Sequence, residues 1–238
     1  EIGTTDDSFL YKLYDLEPDP ATFVDNTEFL PSNALMATVC KCDLAWAMNA
    51  ADRLRNHLPD VADLLDAFRD VADGVSGCIC ISTVPDAEDN FNGLGKIVTV
   101  GVKGIETWNL LTNKLSTAGE IESCGTPYFD EEITVRLKPT GALARLLGGR
   151  EPQLLYWPRN GQAVIVAVSS DSVISDYRAA TAANQFLFNN PTFRECAGSL
   201  FERSEKRGFK YVSPDFIPAL GKAALGLLGL PEEILDLE

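Results

Sequence analysis

The side chains that could do nucleophilic or acid–base chemistry are few and scattered in this sequence. His57 is the only histidine among 238 residues. A catalytic triad with a histidine base, or a zinc site with histidine ligands, would therefore depend on that one ring. His57 falls at the end of a predicted helix, just before Pro59, where an imidazole can cap free carbonyls or face water. This position favours a structural role.

Glu120, Glu122 and Cys124 form the other concentration of reactive groups. They fall in a segment that we predict to be a loop between two strands, where the thiol would be exposed. Under an enzyme hypothesis the carboxylates would act in acid–base catalysis, or the thiol would act as a nucleophile with His57 as its base. The hypothesis requires convergence: Glu122 and Cys124 should line one pocket together with an arginine or His57.

Two short fragments resemble a known enzyme family. Ser82-Thr83 ends a predicted strand, and Glu120-Ile121-Glu122 lies in a predicted loop further along the chain. This combination resembles part of the ADP-ribosyltransferase arrangement, in which a strand arginine and a Ser-Thr-Ser motif accompany a Glu-x-Glu loop. Here Val84 replaces the last serine, and Arg53 and Arg55 fall in a predicted helix. We therefore do not assign the chain to that family.

Four of the six cysteines form two pairs with the same spacing, Cys40 with Cys42 and Cys78 with Cys80. On a strand this spacing places both sulfurs on one face. If the two segments were neighbours, four thiols could meet in a metal site, although structural zinc usually has wider ligand spacings. We favour buried free thiols, with disulfides and a metal as alternatives. A reducing compartment, the cytoplasm, is favoured, and secretion stays open as the alternative.

Patterns for bound ions and phosphates are incomplete. The loop Asp86–Gly93 is rich in oxygen donors but departs from the calcium-loop template at its first and last ligands, so a polar hairpin loop is favoured. Gly93-Leu94-Gly95 and Gly221-Lys222 each lack a residue that their phosphate-binding motifs require. The acidic run 130–132 is interpreted as solvated charges at a strand end. No cofactor is predicted.

The net charge of −15 is concentrated near the N-terminus. Residues 1–34 contain eight acidic residues and one base, Lys12, which is seven of the fifteen excess charges. An acidic surface repels phosphate, so nucleic acid is disfavoured and a protein partner, of basic character, is favoured. The one basic region, between Arg194 and Lys210, could form an interface with the nearby Phe193, Phe201 and Phe209, or hold the acidic arm. No stretch is long and apolar enough for a membrane span.

Hydrophobic periodicity predicts an α+β fold. A helix pair over 43–73 precedes strand patterns at 75–84, 96–103 and 131–138. The clearest prediction is a hairpin over 153–169, because Asn160-Gly161 supplies the positive φ angles of a tight turn. A helix capped by Asp171 or Ser172 is predicted to run to about 188. Further helices are predicted at 192–206, 214–229 and 231–236, and a short strand at 209–213. We therefore expect a largely antiparallel sheet in a single domain, 35–238, preceded by an acidic N-terminal arm, 1–34.

Two hypotheses for function follow. The preferred one is a non-enzymatic binding protein that recognises a macromolecular partner through an acidic surface, in a neutralising, chaperone-like or viral structural role. It rests on the charge of the arm and on the failure of the catalytic templates. The alternative is an enzyme that uses carboxylate or cysteine chemistry at Glu120, Glu122, Cys124 and His57.

Overall fold

The computed structural model describes residues 29–41, 68–86, 93–124, 132–148, 151–159, 162–195 and 208–221. Eight strands lie in these ranges: β1 (Met36–Lys41), β2 (Val75–Pro85), β3 (Leu94–Val102), β4 (Ile121–Cys124), β5 (Ile133–Leu137), β6 (Gln153–Arg159), β7 (Gln162–Val168) and β8 (Gly208–Val212). Three α-helices have described bounds: α1 (Ile105–Thr117), α2 (Ala142–Leu147) and α3 (Asp171–Ala182). Short 3-10 helices span Ala72–Gly74 and Leu187–Asn189, and residues 68–71, 191–195 and 216–221 are also helical.

The strands form one sheet in the order β4-β5-β6-β7-β3-β2-β1-β8. Every strand pair of this sheet is antiparallel. The predicted fold class, α+β with a largely antiparallel sheet, is therefore confirmed. Of the predicted helix pair over 43–73, only the last residues, from 68 onward, lie in the described ranges. No helix in those ranges has the length and apolar character needed to cross a membrane.

The predicted hairpin is confirmed as β6 and β7, which pair from Gln153 with Val168 to Arg159 with Gln162. β6 runs to Arg159 and includes Pro158. Proline lacks the N–H that a ladder needs, so it is tolerated where a strand has a neighbour on one side only. Pro158 pairs with Ala163 of β7, and the described pairing of β6 with β5 ends at Tyr156.

Apolar side chains cover both faces of the sheet. On one face, Leu154 and Tyr156 of β6 and Ile165 and Ala167 of β7 pack with residues of α1 and α2. On the other face, the alternate residues of the same strands pack with Val173, Ile174 and Tyr177 of α3. Burial of both faces explains why β7 is a nearly continuous apolar run, since a strand with one solvated face alternates polar and apolar residues.

α1 and α2 lie within the segment that we predicted to contain only strands, and this part of the prediction was wrong. In α1, Trp108, Leu111 and Leu115 are buried on one side at helical spacing, a pattern that could have identified the helix. α2 has only six residues, which is too short for a clear period. Each helix precedes a pair of neighbouring antiparallel strands, β4 with β5 and β6 with β7, just as residues 68–74 precede β2 and β3.

α3 begins and ends differently from the prediction. Its N-cap is Ser170, whose hydroxyl accepts a hydrogen bond from the Val173 N–H, and not Asp171 or Ser172. The helix ends at Ala182, six residues earlier than predicted. Asn184 has a φ of 55°, the left-handed conformation that commonly terminates a helix.

The hydroxyl of Thr181, near the end of α3, has no hydrogen-bond partner among the described residues, although Thr181 is buried. A buried polar group without a partner carries a desolvation penalty. We therefore expect Thr181→Val, which replaces the hydroxyl with a methyl group, to be neutral or to raise the free energy of unfolding by about 1 kcal/mol. Chemical denaturation measures this change. Thr181→Ser keeps the hydroxyl and loses the methyl group, so it should destabilise; equal losses in both variants would contradict the explanation.

Candidate functional site

Glu120, the first carboxylate of the enzyme hypothesis, caps a helix. Its Oε1 accepts the N–H of Ala142 at 3.0 Å, and its Oε2 accepts the N–H of Leu143 at 3.2 Å. These are amides of the first turn of α2, which have no partner inside the helix. The helix's own N-cap, Gly141, provides no side-chain cap, and a Cβ there would collide with Glu120 Oε2. Glycine at 141 thus admits a capping carboxylate from a distant part of the chain.

We expect Glu120→Ala to lower the free energy of unfolding by about 1–2 kcal/mol, because two helix amides lose their acceptor and a favourable negative charge. Chemical denaturation measures this loss. Glu122→Ala is the matched control, since Glu122 is exposed, and its effect should stay within about 0.5 kcal/mol. A Glu120→Ala variant as stable as the wild type would remove the capping assignment.

Glu122 and Cys124 lie in β4, so the predicted loop was wrong at these positions. Ile121 packs against the apolar cluster on the α1 side of the sheet, which holds the segment in the sheet. Ile121 pairs with Leu137 and Ser123 pairs with Arg136, so the exposed Glu122 is the extra residue of a β-bulge. β4 is an edge strand, and a bulge with a charged residue discourages pairing with another chain.

The convergence that the enzyme hypothesis requires has no support among the described residues. The Glu120 carboxylate is bound to α2, and Glu122 is exposed on the edge strand. Cys124 pairs with Val135 in the backbone ladder. His57 lies outside the described residues, as do Arg53 and Arg55. The enzyme hypothesis therefore stays a prediction.

Three of the four cysteines in the two pairs lie in neighbouring strands, Cys40 in β1 and Cys78 and Cys80 in β2, while Cys42 lies outside the described residues. In the ladder of β1 and β2, Cys40 lies opposite Ile79, while Cys78 and Cys80 lie opposite Lys41 and Val39. Residues directly opposite each other share a face, so the position of Cys40 alternates with those of Cys78 and Cys80. Cys80 is a buried free thiol. The described ranges contain no group of three or more His, Cys, Asp or Glu residues arranged for a metal ion.

Asp86, at the start of the predicted polar loop, binds the N-terminus of α3. Its side chain is buried and accepts hydrogen bonds from the hydroxyls of Ser170, at 2.7 Å, and of Ser172. Its backbone N–H donates to the Gly93 carbonyl at 2.8 Å and closes the base of the loop. The calcium-loop candidates between these two residues lie outside the described ranges. Asp86 thus tethers the end of β2 to α3.

Asp171 extends this connection to two further strands. Its carboxylate accepts hydrogen bonds from Gln153 of β6 and from Arg136 of β5, the latter at 2.9 Å. Negative charge is favourable at a helix N-terminus, where backbone N–H groups point outward. The polar side chains around the start of α3 are therefore bonded to one another and form a structural connection between the helix and the sheet.

The environment of Glu132 differs from the one that the sequence predicted. We interpreted the acidic run 130–132 as solvated charges, but the Glu132 side chain is only 7% exposed and forms an ion pair with Arg178 of α3. The Thr134 hydroxyl also donates to Glu132 Oε1, at 3.2 Å. Asp130 and Glu131 lie outside the described residues. Sequence proximity could not reveal this pair, because the two residues are 46 positions apart.

The basic region contains two described cations, Arg194 and Lys210, and both residues are exposed. Phe193, which we considered for an interface, is instead buried and packs edge-on against Tyr211, with ring centroids 5.0 Å apart. The same apolar cluster contains Leu30. The aromatic ring of Phe193 therefore stabilises the core.

The last residues of the segment that we predicted to be an arm are buried. Phe29 and Leu30 are 2% and 1% exposed. The hydroxyl of Tyr177 donates to the Phe29 carbonyl at 3.0 Å, and the Leu187 N–H donates to the Leu30 carbonyl at 2.8 Å. These bonds attach residues 29 and 30 to the α3 side of the sheet. Residues 1–28, which contain all eight acids of the predicted arm, lie outside the described residues.

Acidic and basic residues balance within the described ranges. The described ranges contain twelve acidic residues and twelve Lys or Arg residues, so their net charge is zero. The remaining residues contain the other twenty-three acids and eight bases, which account for the whole net charge of −15. No family model matches the chain, and neither curated proteins nor solved structures provide a match.

Proposed function

We propose that this protein is a non-enzymatic binding protein that recognises a macromolecular partner of basic character through acidic segments of its chain. The observation that carries the proposal is the uneven charge of the sequence, because residues 1–28 hold seven of the fifteen excess negative charges. Residues 1–28 are the main candidate, with eight acids against Lys12. Long-range attraction between opposite charges would increase the rate of association with a basic surface.

The described polar residues support this proposal over catalysis. Glu120 caps α2, Asp86 binds the serines of α3, and Glu132 is paired with Arg178. Carboxylates that act in catalysis must reach a substrate, whereas these three are occupied by groups of the protein itself. A cytoplasmic location belongs to the same proposal, since Cys80 is a buried free thiol and a reducing compartment preserves thiols.

The proposal predicts binding that depends on charge and on the N-terminal segment. We expect the full chain to bind a fluorescent polylysine peptide, measured by anisotropy, and to lose affinity as salt rises, because salt screens exposed charges. Replacing Asp6, Asp7, Asp15 and Glu17 with their amides should weaken binding about tenfold. Binding of a polyglutamate peptide or a DNA duplex with equal affinity would contradict the proposal.

A matched control separates position from total charge. The control variant replaces four exposed acids of the described domain, Glu106, Asp176, Glu195 and Asp215, with their amides. It has the same net charge as the N-terminal variant, so its polylysine affinity should fall much less if residues 1–28 carry the recognition. Equal losses in the two variants would show that only the total charge matters and would overturn the assignment to the N-terminal segment.

A further inference from the structure

We draw no further inference here: the strongest candidate, the exposed apolar patch of Val212 at the end of β8 with Ile217 and Leu220 in the following helical turn, carries nothing because the described structure does not show what covers it.

Discussion

Replacement of Arg178 by alanine is expected to lower the free energy of unfolding by about 3 kcal/mol, because it leaves the buried carboxylate of Glu132 without its counter-charge. The Glu132 side chain is 7% exposed and the Arg178 side chain 32% exposed. Two nitrogens of the guanidinium donate to this carboxylate: Nε donates to Oε1 at 3.1 Å, and Nη2 also donates to Oε1. Among the described residues, the other donor to this carboxylate is the Thr134 hydroxyl, which carries no charge.

Urea denaturation of a double-mutant cycle tests this explanation. Glu132→Gln removes the negative charge and keeps the shape, so the double variant Glu132→Gln with Arg178→Ala should be more stable than Arg178→Ala alone. If the losses of unfolding free energy in the two single variants simply add in the double variant, the pair does not interact and the explanation is wrong. Arg136→Ala is the matched control. Its ion pair with Asp171 is 47% and 39% exposed, so its loss should cost less than about 1 kcal/mol.

The Glu132–Arg178 pair illustrates which parts of the fold the sequence could predict. The hairpin of β6 and β7 depends on a local turn and on adjacent apolar runs, and both are visible in the residue order. The pairing of Glu132 with Arg178 depends on α3 crossing the sheet beside β5, which no local pattern contains. An acid at a strand end is solvated in most proteins, so its burial becomes visible only when the tertiary structure is known.

The candidate site was predictable to a similarly limited degree. Glu120 was identified as a candidate site residue. Its hydrogen bonds to α2 could not be predicted, because α2 is too short to show a helical period in the sequence. The segment from Ile121 to Cys124 was assigned to a loop because one apolar residue, Ile121, gives no alternation to detect. For the cysteines, the metal-site alternative assumed that the two segments were neighbours, but the sequence did not indicate the register between the two strands. A shift of one residue in the register would move every side chain of the strand to the opposite face of the sheet.

Gly95 is a second position at which a substitution is expected to lower the free energy of unfolding strongly. The pattern Gly93-Leu94-Gly95 lacks the third glycine of a phosphate-binding loop. In the structure Gly95 is a buried residue of β3, and α3 packs against this strand. A Cβ at this position would collide with Cγ2 of Val173 and lie 3.1 Å from the Ser169 hydroxyl. That hydroxyl accepts the Lys96 N–H at 2.9 Å. Glycine at 95 therefore lets α3 approach the sheet closely enough for Asp86 to reach Ser170 and Ser172.

We expect Gly95→Ala to lower the free energy of unfolding by about 2–3 kcal/mol, because the stiff, buried side chain of Val173 must move or α3 must shift from the sheet. Val173→Ala alone should cost about 2 kcal/mol through its cavity, yet the double variant should be no less stable than Val173→Ala, since the colliding methyl group is gone.

Gly93→Ala serves as the control. Gly93 has a φ of 58° and nothing within 4 Å of an added Cβ, so its loss reflects backbone strain and Val173→Ala should not rescue it. Rescue of both glycine variants, or of neither, would show that close packing of α3 on β3 is not the reason for glycine at position 95.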